Sequence, residues 1–274
     1  MEENVKALLE QFRAIAGDPR KAVADHLAET GKGAIGMMPI YAPEELVHAT
    51  GFLPAGLWGG SRPVTKARTY LPPFACSIMQ QVMELECEGA YDDLAAVVFS
   101  VPCDTLKCMS QKWKGTSPVL VFTHPQNRGL EAANRFLERE YAILKEKLEN
   151  ITGVKITNAA LERSIQIYNE NRAAMREFSA MAAQYPQVIS AVDRHAVFKA
   201  RLFMEKSRHT ALVRALMEAV RAAEPQPWTG KKVVVTGILL EPNGLLEIFD
   251  RLGLAIVADD LAQESRQVRV DVPD

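Results

Sequence analysis

Residues 71–108 read LPPFACSIMQQVMELECEGAYDDLAAVVFSVPCDTLKC, and this stretch decides the fold of the chain around it. It also contains all four cysteines of the protein. Its pattern predicts a helix over about 74–88, a buried strand over 94–101 and a second helix over 103–113. A strand between two helices is typical of a parallel sheet, since parallel strands must be joined by a long crossover that is usually helical.

The flanking segments continue this alternation in both directions. We predict strands over 33–41 and 52–58, a helix over 42–50 between them, and a further strand over 117–123. From 33 to 123 the order is therefore strand, helix, strand, helix, strand, helix, strand. This order predicts an α/β fold with a mostly parallel sheet and helices on both faces. In such sheets, ligands gather beyond the carboxyl ends of the strands.

The remainder of the chain is predicted to be helical at first and α/β again towards residue 274. The fold class we predict is two parallel-sheet domains of Rossmann or flavodoxin type, joined by a helical block. Two strands and one helix cannot cover both faces of a parallel sheet, so we expect the second domain to be incomplete as given. The predicted parts are N-terminal helices (1–32), a first α/β domain (33–126), a helical segment (127–226) and the start of a second α/β domain (227–274).

Composition and charge exclude several classes of function. The 32 Lys and Arg residues against 34 Asp and Glu residues give a formal net charge of -2, which is not the footprint of a nucleic-acid-binding protein. No apolar run is long enough to span a bilayer, and the amphipathic N-terminus does not resemble a signal peptide. Four cysteines without an export signal indicate reduced thiols. We therefore expect a cytoplasmic protein that binds neither nucleic acid nor membrane.

The four cysteines divide into two kinds. Cys76 and Cys87 lie eleven residues apart on one helix, about 16 Å along its axis, and cannot bind the same small cluster. Cys103 and Cys108 are five apart, a spacing that matches no common zinc or ferredoxin motif. Cys76 and Cys103 each closely follow a proline at the start of a helix, where backbone N–H groups favour thiolate. They are the candidate metal ligands, although two thiolates are too few for a closed iron–sulfur site and simple burial remains an alternative.

Five segments, taken together, resemble one known family. They are PEELVHATGFLPAGLWG, PFACSIMQQVMELE, VVFSVPCDTLK, VVVTGILLEP and IVADDLAQESRQ. In this order and spacing they resemble the 2-hydroxyacyl-CoA dehydratase and benzoyl-CoA reductase family, as a 2-hydroxyglutaryl-CoA dehydratase-like component, from about Gly33 to the last residue. The resemblance implies a [4Fe–4S] cluster between two α/β domains, with Cys76 and Cys103 as two of its ligands. The family's third cysteine lies further towards the C-terminus, and where some relatives have a cysteine this chain has residues 259–262, Asp-Asp-Leu-Ala.

The resemblance also implies a reaction and partners. An ATP-dependent iron–sulfur activator would supply one electron, which passes through a cluster in one subunit of a heterodimer to a cluster in the other. The substrate, an (R)-2-hydroxyacyl-CoA, would lose water reversibly through a ketyl radical to give a 2-enoyl-CoA. The apolar residues 37–40 and 57–58, at the ends of the first two predicted strands, favour the electron-relay subunit. Two alternatives stay open: a benzoyl-CoA reductase-type subunit, and a non-catalytic binding or assembly protein without a cluster.

Five further residues are candidates for substrate binding, and none is assigned a catalytic role. Arg62, Lys66 and Arg68 form a basic cluster near the expected carboxyl edge and could meet the phosphates of CoA, or form a solvated loop. No glycine-rich phosphate loop is present in the chain. Ser265 and Arg266 follow a strand of the second domain and could face the cleft.

Overall fold

A computed structural model describes residues 2–38, 41–60 and 62–273, and it has a mixed α/β architecture. The helices are α1 (Glu2–Gly17), α2 (Pro19–Thr30), α3 (Glu44–His48), α4 (Ser77–Cys87), α5 (Asp104–Lys112), α6 (Glu131–Thr152), α7 (Asn158–Gln184), α8 (Ala191–Ala200), α9 (Lys206–Arg221) and α10 (Asn243–Arg251). The strands are β1 (Ala34–Met37), β2 (Leu53–Gly56), β3 (Leu94–Val101), β4 (Val119–Thr123), β5 (Lys231–Gly237) and β6 (Leu254–Leu261).

The chain forms two compact units. The first, here called the sheet unit, is Val23–Ser164. The second, here called the helical unit, combines Met1–Ala22 with Ile165–Asp274, so the boundary between the units falls inside α7. These two units are defined by contacts in space, whereas the four predicted parts are consecutive segments of the sequence. The four-part division therefore stays a prediction.

The sheet unit contains a four-stranded parallel sheet in the order β2-β1-β3-β4. The predicted alternation of strands and helices is therefore confirmed. Burial on both faces explains the nearly continuous apolar sequence of β3. Val97 and Phe99 pack on one face with α4 and α5, whereas Ala96 and Val98 pack on the other face with α3 and α6.

The helical unit has two cores. Buried side chains of α1, α7, α8 and α9 form the larger core, with Phe12 and Phe178 fully buried in it. The smaller core lies between α8, α10 and the parallel pair β5–β6, and it contains Leu246 and Ile256. On the other face of β5, Val234 is 68% exposed.

Candidate functional site

The topology of the sheet unit selects the edge at which a ligand is expected. Each helix that follows a parallel strand begins at the carboxyl edge of the sheet. The strand order reverses between β1 and β3, because β2 lies on one side of this pair and β4 on the other. Such a switch point is where open α/β sheets bind their ligands. Cys103 follows the last residue of β3, Val101, by two positions.

Cys76 and Cys103 are the N-cap residues of α4 and α5. Both have extended backbone conformations, and both carbonyl oxygens accept the first helical hydrogen bond, from Gln80 N and Lys107 N at 3.1 Å each. Neither thiol makes a capping hydrogen bond within the described chain, and both side chains are exposed. The helices α4 and α5 contact each other on the same face of the sheet, and Cys103 lies at the carboxyl edge, two residues after β3.

These properties fit two donors of a metal or iron–sulfur group. Both thiols are exposed, make no capping hydrogen bond in the described chain, and lie at the N-termini of their helices. Cys87 differs, because burial, and then the charges of Glu84 and Glu86, raise the pKa of its thiol. Over the described ranges, no three His, Cys, Asp or Glu side chains form a metal-binding group. Within the described residues, this unit therefore offers two cysteine sulfur donors.

A groove of about 740 Å³ lies beside Cys103. One wall is the face of β4 that carries Val119, Val121 and Thr123, and the other wall is α5, with Lys107. Val121 is 39% exposed because α5 does not cover this edge strand. The volume is within the range of pockets that hold small molecules.

An aromatic and basic group follows β1 and β4 at the same edge. Tyr41 has a left-handed backbone (φ 61°), which is strained for a residue other than glycine. The rings of Tyr41 and His124 pack edge to face, with their centroids 5.5 Å apart. The guanidinium carbon of Arg128 lies 5.4 Å from the centroid of the Tyr41 ring. Burial, and then Arg128, lower the pKa of His124, although a hydrogen bond with the Tyr41 backbone acts in the opposite direction. His124 Nε2 is buried without a hydrogen-bond partner in the described chain.

The basic cluster lies in the loop before α4. Arg62 forms an ion pair with Glu88 of α4. Lys66 and Arg68 are exposed, and no ion pair in the described chain holds either of them. The structure thus places all three in the sheet unit, with Arg62 already engaged by a carboxylate.

Ser265 and Arg266 lie in the helical unit, just after β6. Ser265 Oγ donates a hydrogen bond to the carbonyl oxygen of Asp259 at 2.9 Å. Arg266 donates from Nε to Asp260 Oδ1 at 3.0 Å and from Nη2 to the Asp260 carbonyl oxygen at 2.6 Å. Both side chains therefore shape the turn after β6, and their contact with substrate stays a prediction.

The helical unit also contains a buried ionic network that the sequence analysis missed. It joins α8 to β6 and to the segments that follow β5 and β6, through Arg194, His195, Lys199, Glu241, Asp259 and Glu264. His195 lies between two carboxylates, with Nδ1 at 2.8 Å from Glu264 Oε1 and Nε2 at 3.2 Å from Glu241 Oε1. Burial alone would lower the pKa of His195, but these two hydrogen bonds raise it above its ordinary value. The separations of 69 and 46 residues leave no local pattern that could have predicted the pairing.

Across residues 2–38, 41–60 and 62–273, no helix combines the length and apolar character required to cross a membrane.

Comparison with known proteins gives a consistent result over nearly the whole chain. The family model described as 2-hydroxyglutaryl-CoA dehydratase, D-component, matches residues 39–274. The lactoyl-CoA dehydratase subunit beta of Anaerotignum propionicum is 70% identical over 98% of this chain and 72% of that protein. The (R)-phenyllactyl-CoA dehydratase beta subunit of Clostridium sporogenes is 43% identical over 99% of this chain and 73% of that protein. The (R)-2-hydroxyglutaryl-CoA dehydratase subunit beta of Acidaminococcus fermentans is 39% identical over 98% and 72%.

These matches confirm the resemblance carried by the five segments. The chain is thus a member of the 2-hydroxyglutaryl-CoA dehydratase D-component family and a lyase component of the 2-hydroxyacyl-CoA dehydratase type.

Proposed function

We propose that this chain is the electron-relay subunit of a radical 2-hydroxyacyl-CoA dehydratase, and that Cys76 and Cys103 are two ligands of its [4Fe–4S] cluster. The observation that supports the proposal is that both thiols are exposed, uncapped N-cap residues of two helices that pack on the same face of the sheet. A bound cluster supplies one-electron transfer. The contribution of the chain would be to hold two cysteine sulfur donors at the starts of α4 and α5.

The apolar residues near this edge support the relay role. Met37, Met38 and Leu57 are at most 3% exposed. Pro39 and Ile40, which belong to the same apolar segment, lie outside the described residues. A surrounding of low polarity excludes water and tunes the potential of an electron-transfer group, whereas a group that binds substrate needs polar side chains beside it.

The proposed partners are a second subunit, an ATP-dependent iron–sulfur activator and an acyl-CoA substrate. The three relatives are named beta subunits, which supports a heterodimer. Because the 70% identical relative is named for lactoyl-CoA, a short (R)-2-hydroxyacyl-CoA is the substrate to test first. We assign the phosphates of CoA to Lys66 and Arg68, with Arg62 beside them, and retain Ser265 and Arg266 as substrate contacts from the helical unit.

We further propose a flavodoxin-like fold for the domain at 33–126, and a related fold beginning at 227. The parallel order β2-β1-β3-β4 supports the first assignment, because it is the order of doubly wound sheets of this type. The parallel pair β5–β6 joined through α10 supports the second, since this strand–helix–strand unit is the repeating element of such folds.

Anaerobic purification with iron and sulfide analysis tests the cluster. The chain is expressed with its partner subunit, as wild type, as C76S and C103S, and as the matched controls C87S and C108S. We expect C76S and C103S to lose the iron assigned to this chain and its visible absorption, and C87S and C108S to retain both.

The outcomes separate the alternatives. Colourless wild-type protein that stays free of iron after reconstitution would support a cluster-free binding or assembly protein. A cluster-containing complex that reduces an aromatic ring of an acyl-CoA, and does not dehydrate a 2-hydroxyacyl-CoA, would support the benzoyl-CoA reductase type. Substrate that binds directly to the cluster of this chain would contradict the relay assignment.

A further inference from the structure

A single buried carboxylate holds the loop that carries the basic residues. Glu84 of α4 is 1% exposed and accepts four hydrogen bonds from the segment here called the basic loop, residues 62–69. Thr65 donates from its backbone N at 3.0 Å and from Oγ1 at 2.8 Å. The backbone N–H groups of Lys66 and Ala67 donate at 3.1 and 2.8 Å. Three of the four donors belong to the backbone, so the carboxylate fixes the path of the loop itself.

The Glu84 carboxylate acts as a helix cap for the basic loop, although it belongs to a different element, α4. The basic loop ends in a 3₁₀ turn, Ala67–Thr69, and the first N–H groups of any helical turn lack intrahelical partners. The side chain of Lys66, the N-cap residue of this turn, makes no capping hydrogen bond to them. Burial alone would raise the pKa of Glu84, but the hydrogen bonds from the loop outweigh it and hold the pKa at about 2. Glu84 is therefore ionised at neutral pH, and its charge faces the turn.

Two further residues of α4 tie the loop at its other end. Gln81 donates a hydrogen bond from Nε2 to the carbonyl oxygen of Arg62 at 2.6 Å, and Glu88 forms the ion pair with the Arg62 guanidinium. Positions 81, 84 and 88 lie on one face of the helix, because residues three and four apart are neighbours on a helix surface. Since α4 begins at its N-cap Cys76, the same helix presents the thiol and fixes the basic loop.

This arrangement leaves two cations on a fixed backbone. Lys66 and Arg68 are exposed, whereas Arg62 is paired with Glu88. We propose that Glu84 is a positioning residue, which holds the basic loop so that Lys66 and Arg68 together bind the 3′-phosphate of CoA. The inference rests on the proposed function, because it takes acyl-CoA as the ligand. Fixing the backbone in advance lowers the ordering cost of binding, and paired cations recognise phosphate by charge-assisted hydrogen bonds.

Equilibrium binding of CoA and of 3′-dephospho-CoA to the complete dehydratase complex tests the proposal. We expect the wild type to bind CoA about tenfold to a hundredfold more tightly than 3′-dephospho-CoA, as charge-assisted contacts give. The E84Q variant and the K66A/R68A double variant should both bring this ratio close to one. The triple variant should bind CoA no more weakly than K66A/R68A, because Glu84 acts only through these two side chains.

The matched control is Glu149, another buried carboxylate of the sheet unit. It accepts hydrogen bonds from Lys145, Lys155 and the backbone of Ile156, which hold its pKa at about 2. The E149Q variant should retain the CoA to 3′-dephospho-CoA ratio of the wild type even though it loses a comparable set of hydrogen bonds. Trypsin provides a second readout, because it cleaves after Lys66 and Arg68 once the loop leaves α4. Cleavage should be at least about tenfold faster in E84Q than in E149Q or the wild type.

The outcomes distinguish the positioning role of Glu84 from the assignment of Lys66 and Arg68 to the phosphate. If K66A/R68A lowers the ratio and E84Q does not, the positioning role of Glu84 is wrong and the phosphate assignment survives. If the ratio is insensitive to K66A/R68A, the phosphate assignment in the proposed function fails, and the role of Glu84 fails with it. Should E84Q not fold, T65V removes only the hydroxyl bond to Glu84, and an unchanged ratio and cleavage rate in T65V would contradict the proposal.

Discussion

At the scale of single residues, Glu86 is a carboxylate in an environment that disfavours its charge. It is 5% exposed, and its Oε2 atom is buried without a hydrogen-bond partner in the described chain. Burial, and then the charge of Asp92, raise the pKa of Glu86 to about 7. A carboxyl group with a raised folded-state pKa binds its proton more tightly in the fold, so it stabilises the protein fully below its unfolded pKa. That contribution is lost as the pH rises through about 7.

The E86Q substitution should remove the loss of stability that ionisation of Glu86 causes above about pH 7. Chemical denaturation at pH 5 and pH 8 should show E86Q more stable than the wild type at pH 8, by on the order of 1–2 kcal/mol, with a smaller difference at pH 5. The control has the opposite sign: Glu149, with its pKa held at about 2, stabilises the fold at neutral pH, so E149Q should be less stable than the wild type at pH 8. A wild type that is as stable as E86Q at pH 8 would contradict the prediction.

His195 should also make stability depend on pH. Its pKa is raised, because the hydrogen bonds with Glu241 and Glu264 outweigh its burial. Its stabilising contribution is therefore complete below the unfolded histidine pKa, about 6.5, and is lost as the pH rises through the higher folded-state value. We expect H195Q to be destabilised most at pH 6 and progressively less towards pH 9, as measured by denaturation with urea.

His209 is the matched control for His195, since it lies in the same unit with the reverse shift. Complete burial lowers the pKa of His209 to about 3, in spite of its hydrogen bond to the Val197 carbonyl oxygen at 3.0 Å. The folded protein keeps His209 neutral from pH 6 to pH 9, whereas the unfolded histidine, with a pKa of about 6.5, gains a proton as the pH falls towards 6. The destabilisation caused by H209Q should therefore increase slightly from pH 6 to pH 9, in the direction opposite to that of H195Q. Equal pH dependence in H195Q and H209Q would contradict the assignment of the His195 charge.

At the scale of elements, the two N-cap cysteines should react differently from the other two. Alkylation requires access to the thiol, and Cys76 and Cys103 are exposed whereas Cys87 and Cys108 are partly buried. In the cluster-free protein, Cys76 and Cys103 should therefore react with iodoacetamide at least about tenfold faster than Cys87, whose thiol pKa is raised by burial. Alkylation followed by peptide mass spectrometry measures each site, and Cys108, which is partly buried, serves as the internal reference. Equal rates at all four positions would contradict the division into ligands and packed thiols.

Most elements of the sheet unit could be predicted from sequence, because their signals are local. The apolar run over 94–101 is β3, with the same bounds. The helix expected from about Phe74 begins at Ser77 instead, since Pro72 accepts a turn hydrogen bond from Ala75 N at 2.9 Å before the helix starts. That shift of three residues makes Cys76 an N-cap. Pro72 and Pro73 therefore predicted that a helix begins nearby but did not determine its first residue.

The contacts that shape the candidate site could not be predicted in the same way. In the sequence, Glu84 cannot be told apart from any other polar residue of an amphipathic helix. Its four hydrogen bonds come from residues 17–19 positions away, and they form only when the loop packs against α4. The left-handed Tyr41 likewise has no sequence signal, because such conformations are uncommon outside glycine and are imposed by tertiary structure. Residue types at strand ends could therefore be predicted, whereas their hydrogen-bond partners could not.

At the scale of the whole molecule, the N-terminal helix belongs to the unit formed by the second half of the chain. Phe12 of α1 is fully buried in the core of the helical unit, with its ring 5.7 Å from that of His209. Arg13 forms a salt bridge with Asp193 at 2.6 Å. The amphipathic pattern of α1 predicted a buried face and gave no indication of which later helices would cover it. The helical unit is therefore discontinuous in sequence, and its stability depends on both segments.

The F12A substitution should show which amide groups depend on this packing. Removal of a buried phenylalanine side chain typically costs about 3–5 kcal/mol, through lost transfer free energy and the cavity that remains. In hydrogen-exchange mass spectrometry, F12A should accelerate exchange in α1, α8 and α9, and leave β1 and β3 of the sheet unit at the wild-type rate. The matched variant F99A removes a fully buried phenylalanine from the core of the sheet unit and should give the reverse pattern. If F12A accelerated exchange equally in both units, the two would unfold as one cooperative body, and the division at Ile165 would describe packing density without independent stability.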